Sequence, residues 1–269
     1  MSDKMMLCGS IKSLNEIYIN NYIAEQKFDG ERILLIKKGN SVSMLNRRGA
    51  LKEDVYIELK EEMATLNFDF IIDGEVCSTN GLFNDLQRRA LLRNTAEIQK
   101  RRETIPIIFH IFDIIELNGE NKTMLPLMER KKLLTDNFGK LTPNLITAEL
   151  TPYVEGEENI NALWSKIVNE KKEGIVLKLK DGVYVFKRSN NWVKLKTWET
   201  VDLKMTKYTI NNAGIRLEND NGDAVQCSGF QADGVKKQMD ELGYAIVEVQ
   251  FLEKTNDKRL RFPSFKCLK

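Results

Sequence analysis

The run Ile105-Pro106-Ile107-Ile108-Phe109-His110-Ile111-Phe112-Asp113-Ile114-Ile115 constrains this chain more than any other segment. It is far shorter than the ~20 apolar residues that cross a bilayer. Its continuous apolar character suits a strand covered on both faces, closed by Asn118-Gly119. Such a strand needs paired neighbours and a core on each side. The chain can supply one: it has 269 residues, 42% of them hydrophobic, which is room for one or two domains. No other apolar run approaches spanning length, and the opening MSDKMMLCGSIKSLNEIY carries no apolar leader core, so a membrane is not expected. The four cysteines form no CxxC, and His110 is the single histidine. A structural zinc site, a disulfide framework and secretion are therefore not expected, and a reducing cytoplasm (a host cell's, if the source is viral) is the default. The net charge is only +2, so any nucleic-acid contact must come from charge sorted onto one face.

Strand signals dominate the rest. Arg32 to Ile36 and Val42 to Leu45 flank Lys37-Lys38-Gly39-Asn40 as a hairpin. Phe68 to Ile72 reads as a strand that ends at Asp73-Gly74-Glu75. Pro126 to Asn137 reads as a helix with Thr123 as N-cap, and Ile160 to Lys172 as a second, stopped near Gly174. Gly174 to Leu179, the turn Asp181-Gly182 and Val183 to Phe186 give a hairpin signal, with Trp192 to Trp198 a further strand. After Thr200 the strands shorten: Val201 to Ile210, Gly214 to Leu217, Ala224 to Gly229 and Ala245 to Leu252, with one helix from Asp233 to Leu242. That pattern suits a small OB-fold barrel and fits an SH3-like barrel almost as well. The expected domains are 1–200 and 201–269.

Four segments carry potential chemistry. Lys27-Phe28-Asp29-Gly30-Glu31-Arg32 gathers two cations and carboxylates around one turn. Asp73-Gly74-Glu75 follows a very apolar strand, and Glu173 opens a strand that reaches Lys178. In Trp192-Val193-Lys194-Leu195-Lys196 both lysines fall on one strand face. Each has a bland counterpart, a solvated turn or an exposed strand face. Together they resemble a site for a nucleoside triphosphate and a divalent metal: carboxylates for the metal, lysines for phosphates and one lysine as nucleophile. Neither GxxxxGK[ST] nor GxGxxG occurs, which excludes a P-loop and a Rossmann fingerprint. Arg88, Arg89, Arg93, Lys100, Arg101 and Arg102 form a basic stretch, either a solvated helix or a contact for duplex phosphates. His110, Trp164 and the cysteines read as core.

The combination resembles the ATP-dependent DNA ligases of the covalent nucleotidyltransferase superfamily. Lys27 to Arg32 matches KxDGxR, and Asn46-Arg47-Arg48-Gly49 resembles SRxG with Asn46 where Ser or Thr is usual. Asp73-Gly74-Glu75 matches DGE, and Phe109 to Asp113 resembles the segment whose aromatic stacks on adenine. Glu173 to Lys178 matches EGIVLK, Trp192 to Lys196 matches WxKLK, and Leu260 to Phe265 resembles the LRFPxF ending. The resemblance covers nearly the whole chain. It implies an α+β fold: an ATP-grasp-like adenylation domain of antiparallel sheets with flanking helices, then an OB-fold barrel. It implies that Lys27 attacks ATP to form lysyl-AMP and that Glu25 contacts the adenine amino group. Arg32 and Arg47 would hold the nucleotide and later the nick phosphate. Glu75 and Glu173 would bind Mg²⁺ or Mn²⁺, Glu75 also reaching the nucleotide ribose. Phe112 would stack on adenine, and Lys194 and Lys196 would meet the α-phosphate. Arg261 would orient pyrophosphate. The implied partner is nicked duplex DNA, bound by a monomer with help from Arg88, Arg89 and Arg93.

A lysine nucleophile must be neutral, which asks its surroundings for about 4 kcal/mol. Arg32, Lys194, Lys196 and bound Mg²⁺ are the expected sources. An mRNA capping guanylyltransferase, an RNA ligase and a non-catalytic nucleic-acid-binding relative are the alternatives. The WxKLK and LRFPxF forms favour a DNA ligase, and the intact Lys27, Glu75, Glu173, Lys194 and Lys196 favour catalysis.

Overall fold

The computed structural model describes residues 5–141, 144–255 and 257–269. The chain divides into two compact units, Met1–Leu195 and Lys196–Lys269, a few residues before the expected boundary at Thr200.

The first unit opens with β1 (Leu7–Ser10), β2 (Tyr22–Gln26), β3 (Glu31–Lys38), β4 (Ser41–Asn46) and α1 (Ile57–Ala64). It continues with β5 (Phe70–Ser78), α2 (Phe83–Ala90), α3 (Thr95–Thr104), β6 (Ile107–Leu117), β7 (Glu120–Asn121) and α4 (Leu127–Phe138). It closes with β8 (Ala148–Leu150), β9 (Tyr153–Glu155), α5 (Glu157–Asn169), β10 (Gly174–Leu179) and β11 (Arg188–Lys196). Two sheets result, one ordered β4-β3-β5-β6-β7 with β8 also on β6, the other β1-β11-β10-β2-β9. The long apolar run forms β6, paired with β5 on one side and with β7 and β8 on the other.

Three apolar clusters hold this unit. Phe109, Ile111 and Ile114 of β6 pack with Leu59, Met63, Leu134 and Phe138 of α1 and α4. Ile160 and Ile167 of α5 cover Ala24, Ile175 and Leu177 of the second sheet. A third cluster joins the sheets to each other through Leu34, Ile115, Tyr184 and Trp192.

The second unit contains β12 (Glu199–Met205), β13 (Lys207–Asn211), β14 (Gly214–Glu218), β15 (Ala224–Cys227) and α6 (Phe230–Leu242). After these come β16 (Ala245–Phe251), β17 (Glu253–Lys254), β18 (Leu260–Arg261) and β19 (Ser264–Leu268). Its sheets are β12-β16-β19, β13-β14-β15 and β17-β18, all antiparallel. Val235 and Met239 of α6 bury against Leu217, Val247 and Val249.

Several sequence expectations change. Asp73-Gly74-Glu75 lies inside β5, because its polar side chains find partners across the sheet. Val183 to Phe186 is not a strand: β10 pairs with β2 and β11 instead. Thr123 does not cap α4. It donates to Asn121 Oδ1, and the helix starts after Pro126. Val201 to Ile210 is two strands, β12 and β13. The stretch 87–102 is two helices, α2 and α3, separated by a cap at Asn94.

Candidate nucleotidyl-transfer site

The sheets assemble one cleft of about 870 Å³ in the first unit. Lys27 lines it, in the connection from β2 to β3. The β2–β10 ladder pairs Gln26 with Ile175, and the Lys27 N–H extends it by donating to Gly174 O at 2.9 Å. That pairing delivers Glu173, whose Oε2 accepts from Lys27 Nζ at 2.7 Å. Two motifs 146 residues apart thus meet through strand register. The β3–β5 ladder does the same for Glu75, which lies opposite Arg32.

Glycine is required in two of these motifs. A Cβ on Gly30 would lie 2.1 Å from Val76 O, and one on Gly74 would lie 2.4 Å from the Phe109 ring. Neither backbone nor a packed ring can yield that far, so only hydrogen fits at both positions.

Arg32 is fixed by its neighbours. Nε donates to Asp73 Oδ1 at 2.9 Å, Nη2 to Oδ2 at 2.6 Å and Nη1 to Met6 O at 2.6 Å. The Tyr184 hydroxyl donates to Asp73 Oδ2 at 2.7 Å and accepts from Met6 N at 3.0 Å. Paired acceptors hold the Arg32 guanidinium well above its ordinary pKa despite burial, so it is a permanent cation in the cleft wall. Burial pushes the Glu75 carboxyl up to about 8 against the pull of Lys27 and Arg32, with Glu173 and Asp73 adding to the rise.

Lys27 departs from expectation. Burial disfavours its charge, but Glu173 and Glu75 outweigh burial and the net shift is upward. The lysine rests as an ammonium hydrogen-bonded to Glu173, where the neutral amine was expected from neighbouring cations together with bound Mg²⁺.

One end of the cleft is aromatic. Phe112 meets Trp192 edge-to-face at 5.8 Å. The Lys178 ammonium lies 4.2 Å from both ring centroids, and the Arg32 guanidinium 5.4 Å from both. Lys178 is wholly buried, and burial lowers its pKa against the opposing effect of Glu25. Glu25 is also buried, held at Oε2 by Lys178 at 2.7 Å and at Oε1 by Lys131.

At the mouth, Arg47 and Arg48 line the cleft and are exposed. Asn46 explains its own departure from Ser or Thr. Its Oδ1 accepts from the N–H groups of Arg48 at 3.0 Å and Ala50 at 2.9 Å, while Nδ2 donates to Glu31 at 2.9 Å. One amide therefore shapes the arginine turn and ties it to β3. Lys194 lines the cleft and is half-buried, with Val193 and Leu195 facing the core. Lys196 heads the second unit, its ammonium 5.1 Å from the Phe262 ring. Arg261 lies in β18 with its guanidinium 5.0 Å from the same ring.

Arg89 is withdrawn from the DNA-facing set. Its side chain is fully enclosed, donating to Ile105 O at 2.8 Å, Val55 O at 3.0 Å and Glu58 Oε2 at 2.5 Å. It fastens α2 to the domain. Arg88 and Arg93 remain exposed. His110 is a packed histidine as expected, stacked on Phe28 at 3.7 Å with Nδ1 2.8 Å from Glu149.

Asp73, Tyr184, Lys178 and Lys131 were not among the expected site residues. A signal existed for Lys178, which shares a face of β10 with cleft-lining Val176. Lys131 had none.

Comparison with known proteins agrees with this geometry. Residues 5–196 match the model of the ATP dependent DNA ligase domain. A DNA ligase of Methanocorpusculum labreanum is 32% identical over 216 residues, 76% of this chain and 37% of that protein. The SPbeta prophage-derived DNA ligase-like protein LigB of Bacillus subtilis is 28% identical over 282 residues, 97% of this chain and 96% of that protein. Several of the curated relatives are much longer, and this chain spans about a third of their length. A solved Lig E DNA ligase superposes with a TM-score of 0.73 over 100% of both chains at 17% identity, which shows a shared fold.

Proposed function

The chain belongs to the ATP-dependent DNA ligase family, and we propose that it seals nicks in duplex DNA through lysyl-AMP and DNA-adenylate intermediates. The observation that carries this reading is Lys27, hydrogen-bonded to Glu173 at 2.7 Å in a cleft with an aromatic end at Phe112 and a cationic mouth at Arg47.

In the first step the Lys27 amine attacks the α-phosphorus of ATP. A P–N bond forms, the bond to the bridging oxygen breaks and pyrophosphate leaves. The amine must first give up a proton, and Glu173 is the hydrogen-bonded acceptor. Arg32 and Lys194 supply fixed positive charge toward the phosphoryl oxygens. Phe112 stacks the base, worth about 1–3 kcal/mol, and Glu25 accepts from its amino group. In the second step a 5′-phosphate oxygen attacks the adenylate phosphorus, and Lys27 leaves and recovers its proton. In the third the 3′-hydroxyl attacks the activated 5′-phosphorus, and AMP leaves as the phosphodiester forms.

A divalent cation fits beside Lys27. No group of three metal-ligating side chains occurs among the described residues, so a fully protein-built cage is not what the site offers. It offers two carboxylates, Glu75 and Glu173, and Glu75 is pushed up to about 8 by burial with added like-charge repulsion. Carboxylate oxygens are hard donors that suit Mg²⁺ or Mn²⁺, which on binding would displace the proton that burial favours on Glu75, with phosphate oxygens completing the shell. Such an ion would offset the charge of the phosphates and weaken the hold of the carboxylates on the Lys27 proton.

The second unit supports an OB-like barrel: two three-stranded antiparallel sheets with α6 packed on them. Arg88 and Arg93 serve as DNA phosphate contacts, and the active form is a monomer. Sealing of an end-labelled nicked duplex tests the whole reading. ATP with Mg²⁺ should give the sealed strand, and neither GTP nor NAD should. Sealing with GTP alone would point to another nucleotidyl transfer.

A further inference from the structure

The base end of the cleft is braced by a helix that lies outside every motif of the sequence. Helix α4 buries two consecutive cations, Arg130 and Lys131, with 0% and 5% of their side chains exposed. Each grips a different sheet. Arg130 forks onto Asp113 of β6, Nε to Oδ1 at 2.7 Å and Nη2 to Oδ2 at 2.9 Å. Asp113 is the residue after Phe112, the stacking wall. Lys131 reaches Oε1 of Glu25 on β2, in the other sheet. Its ammonium also lies 5.5 Å from the ring of Tyr153, the cross-strand partner of Glu25.

Glu25 is therefore ion-paired at both oxygens, by Lys131 on one and by Lys178 on the other, and its buried Oε1 has no hydrogen-bond donor among the described residues. A carboxylate held at one oxygen can swivel about that contact. With a cation beside each oxygen that swivel is opposed by charge, and Oε1 keeps its accepting capacity for a further donor. Lys178 lines the cleft, whereas Lys131 does not and can act only through Glu25.

We propose that Lys131 is a positioning residue for base selection: it orients Glu25 to accept from the 6-amino group of adenine. This rests on the assignment of Glu25 to the base. Placing Arg130 and Lys131 side by side fixes the stacking wall and the polar end of the base pocket from one rigid element. The paired grip sets the spacing between Phe112 and Glu25, and hence selectivity for a purine bearing a 6-amino donor.

The test compares ATP with purine riboside triphosphate, which lacks only the 6-amino group, in single-turnover formation of the lysyl-nucleotide. The wild type should favour ATP by about tenfold or more, the scale of one hydrogen bond to a charged acceptor. Lys131→Met should erase most of that preference, raising KM for ATP while leaving the desamino analogue unchanged. Lys131→Arg should keep it. The fold should tolerate the loss, since the buried cluster falls from two lysines against one carboxylate to a matched Glu25–Lys178 pair. If the Met variant proves insoluble, Lys131→Gln is read by the same ratio. The analogue serves as an internal control, because a merely structural defect slows both nucleotides equally. Glu25→Met, which removes the acceptor oxygens, separates the two claims. A Glu25→Met variant that still prefers ATP overturns the role of Glu25. Loss of preference in Glu25→Met but not in Lys131→Met overturns the role of Lys131 alone.

Discussion

The two units solve the problem of an interior in opposite ways. The first buries Glu25, Asp73, Arg89, Asp113, Arg130, Lys131 and Lys178. In the second, the only buried polar side chains among the described residues are Asn219 and Asp223. Buried charge is costly and contributes little net stability, since desolvation offsets most of the attraction. A domain that keeps such groups has another use for them. Here the buried pairs sit under the walls of the cleft, where they hold Phe112, Glu25 and Arg32 in place. The second unit has an apolar core of Met205, Leu217, Val235, Val247 and Val249.

The largest expected effect falls on the charged interior. Arg130→Met leaves Asp113 buried without its fork and should destabilise the first unit by about 3–5 kcal/mol, read from urea unfolding. Arg130→Met with Asp113→Asn should recover much of that loss. A cost near zero for the single change would erase the contrast between the units. Next comes DNA affinity. Changing Arg88 and Arg93 to Gln should flatten the slope of log affinity against log salt by roughly 0.9 for each phosphate no longer neutralised. An unchanged slope removes α2 and its following loop from the interface. In the second unit, Ile215→Val deletes one methylene and should cost about 0.5–1.5 kcal/mol.

The smallest effect is a pH dependence. Burial lowers the pKa of His110 against the opposing pull of Glu149. The folded state thus favours neutral imidazole, and below the ordinary histidine value near 6.5 the unfolded chain binds more protons. The stability due to neutral His110 is present above that value and fades as pH falls through the folded pKa. His110→Phe should remove the component of stability that rises with pH between about pH 5 and 7, leaving the opposite contribution of buried Glu75, which is lost as pH rises through about 8. An unchanged stability curve would show that His110 is not the source of that component.

The residues that meet in the cleft of the first unit are more legible in the sequence than the scaffolding behind them. Lys27, Glu75, Glu173 and Lys194 are carried by short motifs whose spacing strand pairing later explains. Arg89 misled because a run of arginines reads as surface. Its burial depends on Glu58, Val55 and Ile105, which lie far away in the chain. Lys131 was invisible for the same reason, since nothing in a polar helix shows which lysine turns inward. Asp73 looked like the end of a strand because hydrophobicity drops there, yet Arg32 and Tyr184 let the strand continue. Local pattern reports backbone preference; partners of buried charge are set by tertiary structure.

The ammonium of Lys27, hydrogen-bonded to Glu173, becomes a nucleophile when ATP arrives. Intact-mass measurement after incubation with ATP and Mg²⁺ tests it directly. The wild type should gain one AMP, lost again with pyrophosphate, and Lys27→Ala should gain none at an unchanged melting temperature. A Lys27→Ala chain that still acquires AMP would contradict it.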